Sequence, residues 1–158
     1  MKVTTISSKD AQELLARYPL DLTKKDIIQR RVGGERDVIM LNKVPAFFFD
    51  GEMPIPTLRF VMAQAAGGAP VALLKKITVD MGAVRFVVNG ADVMRPGIVA
   101  VEDGIAAGDP VVVVDQTHGK PLAVGKALCD SAEMLAAKTG KMIKTLHYVG
   151  DELWKEEA

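Results

Sequence analysis

The stretch from Val79 to Ile98 restricts the fold more than any other, because the chain must turn sharply at two places within it, Gly90 and Gly97. Asp80 stands where a helix N-cap belongs. Its carboxylate can accept from the first free amides and favours the positive end of a helix. Gly90 suits the left-handed position that ends a helix without a Cβ penalty. Pro96 turns Arg95 away from helical geometry, and Gly97 permits the corner that follows. This spacing predicts a strand over 76–79, a helix over about 81–88, a tight turn at Asn89-Gly90, a short strand and a Pro-Gly corner. Val84, Phe86, Val87 and Val88 are weak helix formers, so propensity alone would allow a strand here. The stop and start signals at both ends decide for the helix.

The rest of the chain divides around this stretch. Ser7 and Asp10 cap a helix over 7–18 whose apolar face is Ala11, Leu14, Leu15 and Tyr18. Strands follow over 27–32, 38–41 and 46–49, separated by the turn signals Gly33-Gly34 and Asn42-Lys43 and closed by Asp50-Gly51. Pro56 is expected to open a second helix at its first position, where a missing N–H costs nothing. Gly67-Gly68 closes that helix. Ala69-Pro70 is the expected hinge, dividing the chain into 1–72 and 73–158. Beyond Ile98, a strand over 98–101 precedes Val111-Val112-Val113-Val114, a β-branched run suited to a buried central strand. A hairpin loop over 115–120 leads to a return strand over 121–128. Asp130 and Glu133 have capping-box spacing for a helix to about 138, stopped by Gly140. A last strand covers 141–148, and a terminal turn covers 151–154. Short strands at this spacing argue for a small barrel.

Composition removes several function classes. Among 158 residues the charges balance to a net of zero, so any polyanion contact must come from a local patch. A single cysteine, Cys129, excludes an internal disulfide and fits a reducing compartment such as the cytoplasm. The N-terminal residues lack the apolar run of a signal peptide, and no stretch is apolar for long enough to span a membrane. The two histidines, His118 and His147, are far apart in sequence and have no nearby Cys or His partner, so no metal site is expected. Asp115 to His118 reads as a turn rather than an acid–imidazole pair. Cys129 precedes a helix cap that could lower its pKa, but no local base supports reactivity. Asp80 reads as a cap and Asp92 as a turn residue, and no phosphate-binding glycine loop or cofactor motif is present.

The segments Val79-Asp80, Gly82-Ala83-Val84-Arg85-Phe86, Gly90-Ala91-Asp92-Val93-Met94 and Pro96-Gly97 resemble the opening of a PUA domain, an RNA-binding module. The variant they resemble is that of the malignant T-cell-amplified sequence protein, ligatin and their archaeal relatives, which carry a pre-PUA domain ahead of it. The resemblance implies an α+β chain: an N-terminal α/β pre-PUA domain over 1–72, then a PUA β pseudo-barrel over 73–158. It also implies noncatalytic binding of structured RNA, such as the acceptor or CCA end of a tRNA, on or near the small ribosomal subunit, in translation initiation or recycling. Eukaryotic relatives act with a protein carrying a SUI1 domain, which this chain lacks and would need as a partner. Carried onto this sequence, the RNA face comprises Gly82, Ala83, Arg85, Phe86, Asn89, Gly90, Ala91, Met94, Arg95 and Pro96, with Lys144 and His147 from the last strand. Lys75, Lys76 and Lys141 join it if the first and last strands of the barrel are neighbours. Exposed amides at Gly90-Ala91 are expected to meet phosphate or base edges. Phe86 and Met94 fit either this face or the core. A second basic group, Lys24, Lys25, Arg30, Arg31 and Arg36, is a candidate contact for ribosome or partner.

Two other functions fit the same residues. One is an accessory protein that delivers tRNA or rRNA to a modifying enzyme. The other is an enzyme with an unrecognised site, against which stands the lack of any clustered nucleophile, base and acid.

Overall fold

A computed structural model describes residues 1–68 and 72–156. The chain forms two compact units, Met1–Leu73 and Leu74–Glu156. The expected hinge at Ala69-Pro70 lies outside the described residues.

The first unit is built on an antiparallel sheet of β1 (Lys2–Thr5), β2 (Ile28–Val32), β3 (Val38–Leu41), β4 (Val44–Asp50) and β5 (Met53–Pro56), adjacent in chain order. The helices are α1 (Ser8–Leu14) and α2 (Leu58–Ala66). Ser7 caps α1 by accepting from the Asp10 amide at 3.1 Å. The helix ends before the expected Tyr18, yet Tyr18 remains buried. Its ring packs 5.3 Å from that of Phe47, and Phe60 of α2 packs on Phe47 at the same separation. Two strands escaped the sequence pattern. β1 is exposed along its whole length, so it carries no apolar alternation. β5 contains Pro54 and Pro56, which an edge strand tolerates because a missing ladder donor matters least there. Pro56 therefore ends a strand and does not start α2. The cap is Thr57, fully buried, which accepts from the Phe60 amide at 3.2 Å and donates to the Pro45 carbonyl at 3.1 Å.

The second unit is a nearly closed pseudo-barrel with strands in the order β7-β11-β10-β9-β6-β8. These are β6 (Lys75–Val79), β7 (Val93–Met94), β8 (Ile98–Val101), β9 (Pro110–Asp115), β10 (Pro121–Ala127) and β11 (Lys141–Tyr148). Only the β6–β9 pair among them runs parallel. β9 is buried at every residue, as its valine run requires, and Val111 and Val113 join Ile77, Val79, Met134 and Ile143 in one core. The helices are α3 (Met81–Val87), α4 (Ser131–Ala136) and α5 (Glu152–Glu156). Asp130 and Glu133 form the expected capping box of α4, which ends earlier than residue 138 because Ala137 is already extended. The whole chain is thus α+β. No helix among the described residues is long and apolar enough to cross a membrane.

Candidate nucleic-acid interface

α3 is held at both ends by its own sequence. Asp80 Oδ1 accepts from the Ala83 amide at 2.9 Å. At the other end Gly90 has φ +87°. Its amide donates to the Val87 carbonyl at 3.0 Å, and the Ala91 amide donates to the Phe86 carbonyl at 3.0 Å. This pair of bonds is a Schellman motif, in which the last helical carbonyls find partners through a left-handed residue. The amides of Gly90 and Ala91 are therefore donated within the cap. They are not the free donors that the sequence suggested. Asn89 adds to the same cap, its side-chain amide donating to the Arg85 carbonyl at 2.7 Å.

After β7 a 3₁₀ turn, Arg95–Gly97, makes the Pro-Gly corner. It closes on α3: the Asp80 amide donates to the Gly97 carbonyl at 2.9 Å. A Cβ on Gly97 would lie 3.0 Å from that of Ala83, so the helix and corner meet through two small residues. Arg95 builds this corner. Its Nη1 donates to the Ile98 carbonyl at 3.0 Å, and its backbone amide donates to Gly140.

Between helix and corner lies a cleft of about 480 Å³. Gly82, Ala83, Ala91, Pro96 and Gly97 give it small or flat walls, and Phe86 and Met94 give it two large apolar side chains. Phe86 is 54% exposed and Met94 48% exposed. Both thus belong to the face and not to the core. Arg85 is exposed, with its guanidinium 4.8 Å from the Phe86 ring centroid. Lys141 stands opposite Met94 across the β7–β11 pair, and its ammonium is 2.9 Å from Asp92 Oδ2. Burial pushes the Asp92 carboxyl up, but Lys141, the Thr145 amide and the charge of Lys144 outweigh it and hold the pKa below the ordinary value. Asp92 is accordingly a tie between loop and strand: Thr145 donates its amide to Oδ1 at 2.9 Å.

Three expected site residues, His147, Lys75 and Lys76, are placed elsewhere. His147 is fully buried, its Nδ1 2.9 Å from Asp151 Oδ2, and cannot form part of an exposed face. Lys75 and Lys76 begin β6, whereas α3 leaves from its other end; at about 3.3 Å per residue the strand keeps Lys75 roughly 15 Å from Asp80. β10 and β9 also stand between β6 and β11, so the first and last strands are not sheet neighbours. Lys75 instead pairs with Glu102 at 3.6 Å. In the N-terminal basic group, Arg30 and Arg36 lie over the rings of Phe49 and Phe48 at 4.7 and 5.0 Å.

Asp115 accepts from the loop amides of His118 and Lys120. Burial pushes the Cys129 thiol up, and Glu133 and Asp130 add to that rise. No group of metal-binding side chains occurs among the described residues.

A family model described as "PUA domain" matches residues 75–149, which span β6 through the end of β11. An uncharacterized protein of Methanocaldococcus jannaschii is 39% identical over 133 residues, covering 84% of this chain and 78% of that protein. The chain belongs to the PUA-domain proteins. Translation machinery-associated protein 20 of Eremothecium gossypii is 35% identical over 114 residues, covering 68% of this chain and 60% of that protein. A solved structure of a hypothetical protein from Pyrococcus horikoshii overlays with a TM-score of 0.85 at 30% identity, covering 99% of this chain and all of that one.

Within the PUA unit, two residues that neighbour expected site residues were missed by sequence reasoning. Lys126 stands directly across from Lys144 on β10, and only the strand register could have shown it. Thr145 fastens the loop through both its amide and its hydroxyl, the latter donating to the Ala91 carbonyl at 2.9 Å. A single threonine in a strand carries no sequence signal for such a role.

Proposed function

We propose that this PUA unit binds structured RNA, without chemistry on it, through the cleft between α3 and the Pro-Gly corner. The observation that carries this reading is the exposure of Phe86 and Met94 on a wall of small residues, with Arg85, Lys141 and Lys144 around it. Large side chains left half in water are costly to a fold but suit the flat face of an unstacked base, and the neighbouring cations suit its phosphates. The RNA is the acceptor or CCA end of a tRNA, bound on or near the small ribosomal subunit during initiation or recycling. Support for this setting is the similarity to a protein named for association with the translation machinery. The N-terminal unit is read as a pre-PUA domain that faces the ribosome or a SUI1-domain partner.

The test is titration of fluorescent tRNA, intact and trimmed of its 3′ CCA, at several salt concentrations. Intact tRNA is expected to bind more tightly, and three phosphate contacts give a salt slope of about −2. Arg85→Glu and Lys144→Glu are each expected to weaken binding about tenfold with the melting temperature unchanged. Unaltered binding in both variants would remove this face. Equal binding of intact and trimmed tRNA, with a modifying enzyme retained from extract in place of ribosomal subunits, would favour delivery of RNA to that enzyme.

A further inference from the structure

β11 supports the cleft from outside it. Three of its residues hold the loop that follows α3. Lys141 pairs with Asp92, and Thr145 bonds both Asp92 and the Ala91 carbonyl. The third is Tyr148, whose ring lies so close to Gly90 that a Cβ there would be 2.8 Å from Cε1 and 3.0 Å from Cζ. The first two contacts are polar, and water can replace them at modest cost. The third fills space directly over a backbone atom, which water does not do.

Tyr148 touches Gly90 without lining the cleft, whereas the residues just after Gly90, from Ala91 to Met94, do line it. The backbone that carries the ring is itself held, and Tyr148 packs partly buried against the core of the unit. The Tyr148 amide donates to Asp151 Oδ2 at 3.0 Å, and the next amide, of Val149, donates to Leu122 at 3.0 Å. The same Asp151 carboxylate accepts from the Trp154 amide at 2.8 Å, capping α5, and receives the buried His147 ring at 2.9 Å. A continuous set of contacts therefore runs from α5, through the His147–Asp151 pair and the Tyr148 ring, to the glycine that ends α3.

We propose that Tyr148 is a positioning residue for the RNA cleft: its ring, carried on a backbone that Asp151 holds, sets the height of Gly90 and so the course of the Ala91–Met94 wall. This rests on the RNA reading above. The Schellman bonds fix where α3 ends, while the glycine itself imposes little preference on the chain that leaves it, so the wall beyond takes its course from what it packs against. A wall displaced by an ångström loses contact geometry even when every cleft residue is present.

The test uses the full chain with Tyr148→Leu, which keeps an apolar side chain, and Tyr148→Phe, which keeps the ring. Amide hydrogen exchange at Gly90 and Ala91 is read without RNA, with Val112 of β9 as the global reference, and tRNA affinity is read in parallel with Arg85→Glu as control. Tyr148→Leu is expected to speed exchange at Gly90 and Ala91 about tenfold while sparing Val112, and to weaken tRNA binding about fivefold. Tyr148→Phe is expected to stay within about twofold of the wild type in both measurements. The inference is overturned if Tyr148→Leu leaves loop exchange unchanged, if Val112 accelerates equally, or if affinity holds while Arg85→Glu lowers it. Because the exchange arm needs no RNA, normal tRNA binding by Arg85→Glu would count against the RNA face alone.

Discussion

An arginine lies over a phenylalanine ring in both units of this chain, and the two settings give the contact opposite meanings. In the first unit Arg36 covers Phe48, which is 1% exposed. In the second, Arg85 covers Phe86, which is 54% exposed and lines a cleft. Burial, and not the contact, decides the role. The ring of Phe48 has left water and its arginine is a lid, so its worth lies in stability. Phe86 keeps about half of its surface in water, so the fold gains less from it. The largest expected effect tests this contrast directly. Phe48→Ala is expected to cost about 3–5 kcal/mol of unfolding free energy, as for other large-to-small core changes. Phe86→Ala is expected to cost under about 1 kcal/mol. Denaturant unfolding of the two variants side by side checks both; equal losses would break the comparison.

The same contrast explains what could be read from sequence. Local signals that act over three or four residues survived into the structure: Asp80 and Gly90 around α3, the Asp130–Glu133 box, and the valine run of β9. Their physics lies within the segment itself. What failed depended on partners elsewhere. Pro56 looked like a helix start because Thr57, the true cap, is recognisable only once its buried hydroxyl meets Pro45. β1 is polar and exposed and exists only because β2 offers it a partner. Lys75 and Lys76 were misplaced because the first and last strands were expected to be neighbours, whereas β9 and β10 lie between β6 and β11, an order that no local signal reveals. His147 was misread because what faces it lies beyond the strand: Asp151, which caps α5, meets its ring at 2.9 Å, and nothing within β11 announces that cover. The residues that line the cleft lie close together in sequence because α3, its glycine loop and the corner are consecutive.

The buried pair behind the cleft gives the next effect in size. Burial pushes the Asp151 carboxyl up, but His147 and the amides of Trp154 and Tyr148 prevail and hold it below the ordinary aspartate range. A folded-state pKa lowered in this way contributes stability in full above the unfolded pKa of about 3.9, and loses it as pH falls through the folded value. Acid unfolding below about pH 4 should therefore be shallower in Asp151→Asn than in the parent chain. At neutral pH the variant is expected to lose about 2 kcal/mol, since the buried imidazole then faces an amide in place of its carboxylate. Asp92, Asp115 and Asp26 are lowered as well, so some acid sensitivity remains. Urea unfolding from pH 7 to pH 3 measures the difference. An unchanged slope would show that the pair is not a source of acid sensitivity, in contrast to the exposed cations around the cleft.

Those cations provide the smallest and sharpest test. Arg85 and Lys141 both stand by the cleft, but Lys141 already lies 2.9 Å from a carboxylate that is kept ionised. A lysine so paired offers RNA less net charge and gives up an existing partner to bind phosphate. Arg85→Ala is expected to reduce the magnitude of the salt slope of tRNA binding by about 0.7, the value for one contact to a single strand. Lys141→Ala is expected to reduce it by less than about half of that, because the carboxylate of Asp92 neutralises part of the charge removed. The double variant Lys141→Ala with Asp92→Asn removes both members of the pair and should return the slope toward that of the parent. Equal slopes for Arg85→Ala and Lys141→Ala would mean that Lys141 leaves Asp92 on binding, and the contrast between a cation committed to the fold and one held open for a ligand would then fail at this cleft.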